Sequence, residues 1–62
     1  MPKTPKQMVK LLKQSGLIKV RQRGSHLLMK NFETGKVTTV PMHSKELAKG
    51  TEEAILKQAG LK

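Results

Sequence analysis

Sixty-two residues with 13 Lys and Arg against four Asp and Glu carry a formal net charge of +9, and leave room for one small domain, residues 1–62, burying only about 60% of its unfolded surface. There is no cysteine, which excludes disulfides, thiolate metal sites and a cysteine nucleophile. No uncharged apolar run approaches the roughly 18 residues of a membrane span and nothing marks the chain as exported, so a cytoplasmic location is expected.

Leu, Ile, Val and Phe make up 15 of the 62 residues, a little above the roughly 20% below which a charged chain tends to stay disordered. Residue order must therefore decide whether the chain folds. Thr4 to Ser15 reads as an amphipathic helix, with Met8, Leu11, Leu12 and Ser15 at i, i+3, i+4 and i+7 and Val9 widening the stripe. Thr4 is a natural N-cap, Pro5 suits the first helical position, and Gly16 stops the helix. Lys3, Lys6, Lys10 and Lys13 share the face roughly opposite Met8 and Leu12. After Gly16 the period drops to two, as Ile18 and Val20 alternate with Lys19, Arg21 and Arg23 in a half-buried strand that Gly24-Ser25 breaks. His26 to Lys30 makes a second strand, Thr34-Gly35 a hairpin turn, and Lys36 to Val40 a third strand ended by Pro41. Residues 42 to 49 form an irregular or single-turn connection. Gly50-Thr51-Glu52-Glu53 then opens a last helix, its carboxylates placed where the helix dipole favours them. Ile55, Leu56 and Ala59 form its apolar side, and Gly60 ends it.

The α-β-β-β-α order predicts an α+β fold, a three-stranded antiparallel meander with both helices on one face. Ile18 and Val20 are expected to point at the helices, leaving Lys19, Arg21 and Arg23 toward solvent. In the second strand Leu27 and Met29 are the inward pair, because the opposite register would bury Lys30. That places His26, Leu28 and Lys30 on the open face, level with the basic ladder. Met8, Met29 and Met42 read as gap fillers in a small core.

Charge is divided unevenly along the chain. Residues 1–32 hold eight basic residues and no acidic one, whereas residues 33–62 hold five basic and all four acidic residues. A surface that served only solubility would mix its signs, so the first half points to a polyanionic partner. A membrane-surface helix would need aromatic anchors, and the sole aromatic, Phe32, falls in a loop. Binders of single strands by base stacking also need aromatics on the sheet. Recognition of phosphates and shape remains, as in readers of double-stranded RNA, and an acidic protein could use the same surface.

The four acids are Glu33 in a turn, Glu46 in the connection, and Glu52 and Glu53 adjacent on a helix. They do not converge as a magnesium site requires, and two histidines are too few for a histidine-only zinc site. No metal or other cofactor is expected. RNA, however, carries its own nucleophile in the 2′-hydroxyl. Cleaving it needs a base, a cation to offset charge on phosphorus, and a proton for the departing 5′-oxygen. Histidine is the natural base near neutrality, and His26 would stand beside Lys19, Arg21, Arg23 and Lys30. Gly24-Ser25 would let a phosphate approach the backbone. Residue types alone leave His26 open between this role and an ordinary strand position after a tight turn. His43 reads as a residue of the connection, bonding a backbone carbonyl or capping the next turn.

Met8-Val9-Lys10-Leu11-Leu12, Gly16, Gly24-Ser25-His26, Val40-Pro41-Met42-His43, and the tail from Gly50-Thr51 through Ile55-Leu56-Lys57-Gln58-Ala59-Gly60-Leu61 occur in that order over nearly the whole chain. In this the chain resembles the HicA family, small messenger-RNA interferase toxins of HicA–HicB toxin–antitoxin pairs. The resemblance implies a fold like that of double-stranded-RNA-binding domains, ribosome-independent cleavage of messenger RNA, and growth arrest when the toxin is free. It also implies that His26, in the Gly-Ser-His motif, is catalytic and that an acidic HicB-type antitoxin occludes the site. The chain departs from the family at Leu27-Leu28-Met29, where an aromatic residue or second histidine is frequent, and at Gly16-Leu17, where Gly-Trp or Gly-Phe is. Both departures remove platforms for base stacking. The resulting expectation is a metal-independent endoribonuclease toxin: His26 acts as general base or acid, Lys19, Arg21, Arg23, Ser25 and Lys30 meet the phosphates, and Lys6, Lys10 and Lys13 extend the track. The alternatives are a non-catalytic double-stranded-RNA-binding module and a surface-active basic peptide that is unfolded without lipid.

Overall fold

A reciprocal capping box starts the first helix, α1 (Pro5–Gln14). The Thr4 hydroxyl accepts the Gln7 N–H at 3.2 Å, and the Gln7 side chain accepts the Thr4 N–H at 2.9 Å. At the other end Gly16 takes φ +98, a left-handed conformation. The Leu17 N–H then donates to Leu12 O at 2.9 Å and the Gly16 N–H to Lys13 O at 3.1 Å. This is a Schellman turn. It reverses the chain and drives Leu17 into the same apolar cluster as Leu12. The computed structural model describes residues 3–43 and 45–62.

Three strands follow, β1 (Ile18–Arg23), β2 (His26–Lys30) and β3 (Val37–Pro41), then α2 (Lys49–Gln58). They form an antiparallel sheet in the order β1-β2-β3. This is the predicted α-β-β-β-α architecture, with element ends within a residue or two of the expected ones. Residues 42–48 connect β3 to α2, and 44 lies outside the described residues. α2 closes with its own Schellman turn, Leu61 N–H donating to Leu56 O at 2.8 Å. Both helices pack against β3. Among the described residues, no helix is long and apolar enough to cross a membrane.

The core lies between the helices and one sheet face. Met8, Leu12, Leu17, Leu27, Met29, Val40, Leu47, Ile55 and Ala59 are buried there. Leu27 pairs with Val40 and Met29 with Thr38, and paired residues of an antiparallel ladder share a face. Leu27 and Met29 are thus the inward pair of β2, as expected. Thr38 is buried as well, and its hydroxyl donates to Gln58 Oε1 at 2.9 Å, tying β3 to α2. Met8 and Met29 are fully buried, and Met42 is partly buried against the core cluster.

Strand β1 corrects the expectation. Ile18 is 53% exposed and Val20 45% exposed, although both were expected to face the helices. Two causes act together. The Schellman turn makes Leu17 the inward residue, so alternation sends Ile18 outward, in register with Lys30 on the open face. A bulge at Val20, between Lys19 and Arg21, then shifts the phase. As a sheet-edge strand lying away from the helix-packed β3, β1 leaves Val20 no core to enter.

The two ends of this packing predict opposite mutational costs. Met29→Ala or Leu12→Ala should each lower stability by about 2–5 kcal/mol, a large share of the 5–15 kcal/mol usual for a whole domain. Ile18→Ser should stay within about 0.5 kcal/mol of the parent. Urea denaturation followed by circular dichroism measures all three.

Candidate functional site

The helices cover only one sheet face, and the ladder dictates what the other displays. Arg21 pairs with Leu28 and Leu28 with Thr39, one row across the open face. Arg23 pairs with His26 and His26 with Pro41, the next row. Arg21, Arg23, His26, Leu28 and Thr39 together line a shallow groove of about 360 Å³. Both guanidinium groups and the His26 ring are exposed.

A tight turn sets His26 in place. Gly24-Ser25 is a two-residue loop between the paired Arg23 and His26, and Gly24 has φ +57. Glycine at the first central position of such a hairpin adopts this left-handed φ without the backbone strain an L side chain would carry. The Gln22 side chain donates to Gly24 O at 2.9 Å and stiffens the loop. Half-buried Ser25 offers its carbonyl to the Met42 N–H at 2.6 Å. That bond fastens the chain leaving β3 to the turn entering β2.

The same bond brings a second histidine beside His26. Pro41 is paired with His26, and two residues further on His43 presents its ring to that of His26. The centroids are 6.0 Å apart and the planes stand at 87°. Among the described residues no third His, Asp or Glu joins them in a group able to hold a metal ion. Two of the four acidic side chains are engaged elsewhere, Glu52 with Lys3 and Glu53 with Lys62, each at 3.4 Å. Two imidazoles and two guanidiniums make a site that can hold a phosphate and move protons around it.

The other basic residues named from the sequence are distributed differently. The bulge separates Lys19 from Arg21 and Arg23, and Lys19 shares the helix side of the sheet with its partner Met29. The expected continuous ladder of three cations is therefore two arginines. Lys30 does lie on the open face, four residues along β2 from His26, or about 13 Å at 3.3 Å per residue. Its ammonium sits 5.0 Å from the Phe32 ring centroid rather than at the groove. Lys6, Lys10 and Lys13 are exposed on α1, behind the sheet. The molecule is 16 Å across its thinnest dimension, beyond the roughly 8 Å Debye length of physiological salt. They add to the general attraction of the protein for polyanions but are screened from the groove. His43 is the residue that sequence reasoning left aside. The signal for it was the strand register: once Lys30 opposes Val37, His26 must oppose Pro41.

The family model described as HicA toxin of bacterial toxin-antitoxin matches residues 5–61. Among curated proteins, none matches the chain.

Binding of a short single-stranded oligonucleotide should register the location of the cations. Arg21→Ala or Arg23→Ala should weaken it and flatten the slope of log K against log salt by about 0.7 each. Lys13→Ala, behind the sheet, should change the slope far less. Equal losses from all three variants would show that the groove is not where the polyanion sits.

Proposed function

The chain belongs to the HicA toxin family of bacterial toxin–antitoxin systems, and from this we propose that it is a metal-independent endoribonuclease that cleaves messenger RNA. One observation carries the reading: the His26 ring stands exposed on the open sheet face, in a groove walled by Arg21 and Arg23. An imidazole moves the proton of a ribose 2′-hydroxyl, and the guanidiniums neutralise charge gathering on the phosphorus oxygens. Thr39 and Leu28 line the rest of the groove, and the Gly24-Ser25 turn leads into His26. DNA, lacking the 2′-hydroxyl, is spared.

Arg21 and Arg23 are the phosphate-gripping residues of this reading. Lys30 meets the strand further along the same face, and Lys19, Lys6, Lys10 and Lys13 add to the overall positive charge of the chain that favours a polyanion. The partner in the toxin–antitoxin pair is an acidic HicB-type protein that covers the groove. A chain with net charge +9 suits such a partner.

His26→Ala should abolish RNA cleavage and toxicity to the host cell while leaving the melting temperature near that of the parent, because the ring is exposed. Incubation of the purified protein with RNA in EDTA measures it, and the parent should cut there undiminished. Intact RNA carrying bound parent protein would identify a double-stranded-RNA-binding module instead.

A further inference from the structure

Resting on the ribonuclease reading, we propose that His43 is a second catalytic residue, the general acid that protonates the departing 5′-oxygen while His26 takes the 2′ proton. Cleavage by a 2′-hydroxyl moves two protons at two separate oxygens, one on either side of phosphorus. A single imidazole beside one oxygen leaves the other to water. Here a second imidazole is held 6.0 Å from the first, centroid to centroid. That spacing lets each ring approach a different oxygen of one phosphate to hydrogen-bonding reach, about 2.6–3.2 Å.

The arrangement is built rather than incidental. Pairing of His26 with Pro41 fixes the end of β3 beside the first ring. The 2.6 Å bond from the Met42 N–H to Ser25 O then anchors the residue just before His43 to the residue just before His26. Neither ring has a hydrogen-bonded side-chain partner among the described residues, so both keep their nitrogens for substrate.

Among the described residues, the charged groups that face the pair are cationic. Arg21 and Arg23 face His26 from β1, and Lys30 lies further along its own strand. Lys45 and Glu46, in the connection that carries His43, are exposed, and no carboxylate groups with the two rings among the described residues. Glu33 belongs to the β2–β3 hairpin, and the helical acids are paired with Lys3 and Lys62.

The step balances. The 2′-oxygen forms a bond to phosphorus as the bond from phosphorus to the 5′-oxygen breaks. Neutral His26 gains the 2′ proton, and protonated His43 gives its proton to the 5′-oxygen. The products are a 2′,3′-cyclic phosphate and a 5′-hydroxyl, and the net charge of the pair is unchanged.

The test compares the parent, His26→Ala, His43→Ala and His43→Gln on two RNA substrates, one ordinary and one with sulfur in place of the bridging 5′-oxygen at the cleaved bond. A thiol is acidic enough to leave as thiolate without an acid's help. Both His43 variants should cleave ordinary RNA about 10²–10⁴-fold more slowly than the parent, and should regain most of that loss on the sulfur substrate. His26→Ala should be slow on both. The parent's pH–rate profile should rise and then fall, and the His43 variants should lose the falling limb. Circular dichroism melts should be unchanged by either His43 substitution. Parent-like cleavage by both His43 variants would overturn the assignment while leaving His26 and the ribonuclease reading intact. Equal slowing on both substrates would also overturn it, leaving His43 a positioning residue. A parent inert on both substrates would overturn the ribonuclease reading itself.

Discussion

Two ten-residue helices can cover one face of a three-stranded sheet and no more. Among the described residues both helices pack on the side that buries Leu27, Met29, Thr38 and Val40, which leaves the other face to solvent. Leu27, Met29 and Val40 therefore go to one side, and the side chains that alternate with them, Leu28 and Val37 included, are committed to the other. Arg21, Arg23 and His26 come together because the core has claimed their neighbours. The site is what the packing leaves over, and it comes at the cost of a thin core with little redundancy.

Local backbone chemistry gives that face its order. Gly16 turns the chain at the end of α1, Gly24 turns it again before His26, and the Ser25 carbonyl binds the amide of Met42. The first of these turns chooses the residue that enters the core, the second sets the height of the imidazole, and the third brings in a segment nearly twenty residues distant. A mobile loop would hold two imidazoles together only part of the time. Here a short turn hydrogen-bonded to the end of a strand sets the two rings 6.0 Å apart.

Much of this was legible in the residue pattern. The capping signals at Thr4 and Pro5 and the stop at Gly16 located α1, and the cost of burying Lys30 settled the face of His26. Strand β1 was misread because alternation alone has no origin. Counting from Ile18 and counting from Leu17 give opposite faces, and only the Schellman geometry tells which is right. The bulge at Val20 carries no composition signature that sets it apart from regular strand. Leu47 and Thr38 were missed for a different reason. One is an isolated apolar residue in an irregular segment, and the other a polar residue whose burial depends on Gln58 from a distant helix. The groove's two arginines were visible from the sequence, but their separation from Lys19 was not. His43 needed a long-range register that no local window contains.

The free edge of β1 has an implication for the protein's solubility. An uncovered strand offers its outer row of amides and carbonyls to any other strand that passes, including one from an identical molecule. On this chain that edge carries Lys19, Arg21 and Arg23 and is broken by a bulge, so two copies approaching edge to edge meet mutual repulsion and a kinked template. Charges and a bulge on an edge strand are general features that disfavour such edge-to-edge pairing. A nucleic acid or an acidic protein that neutralises the charges removes this guard unless it also shields the edge.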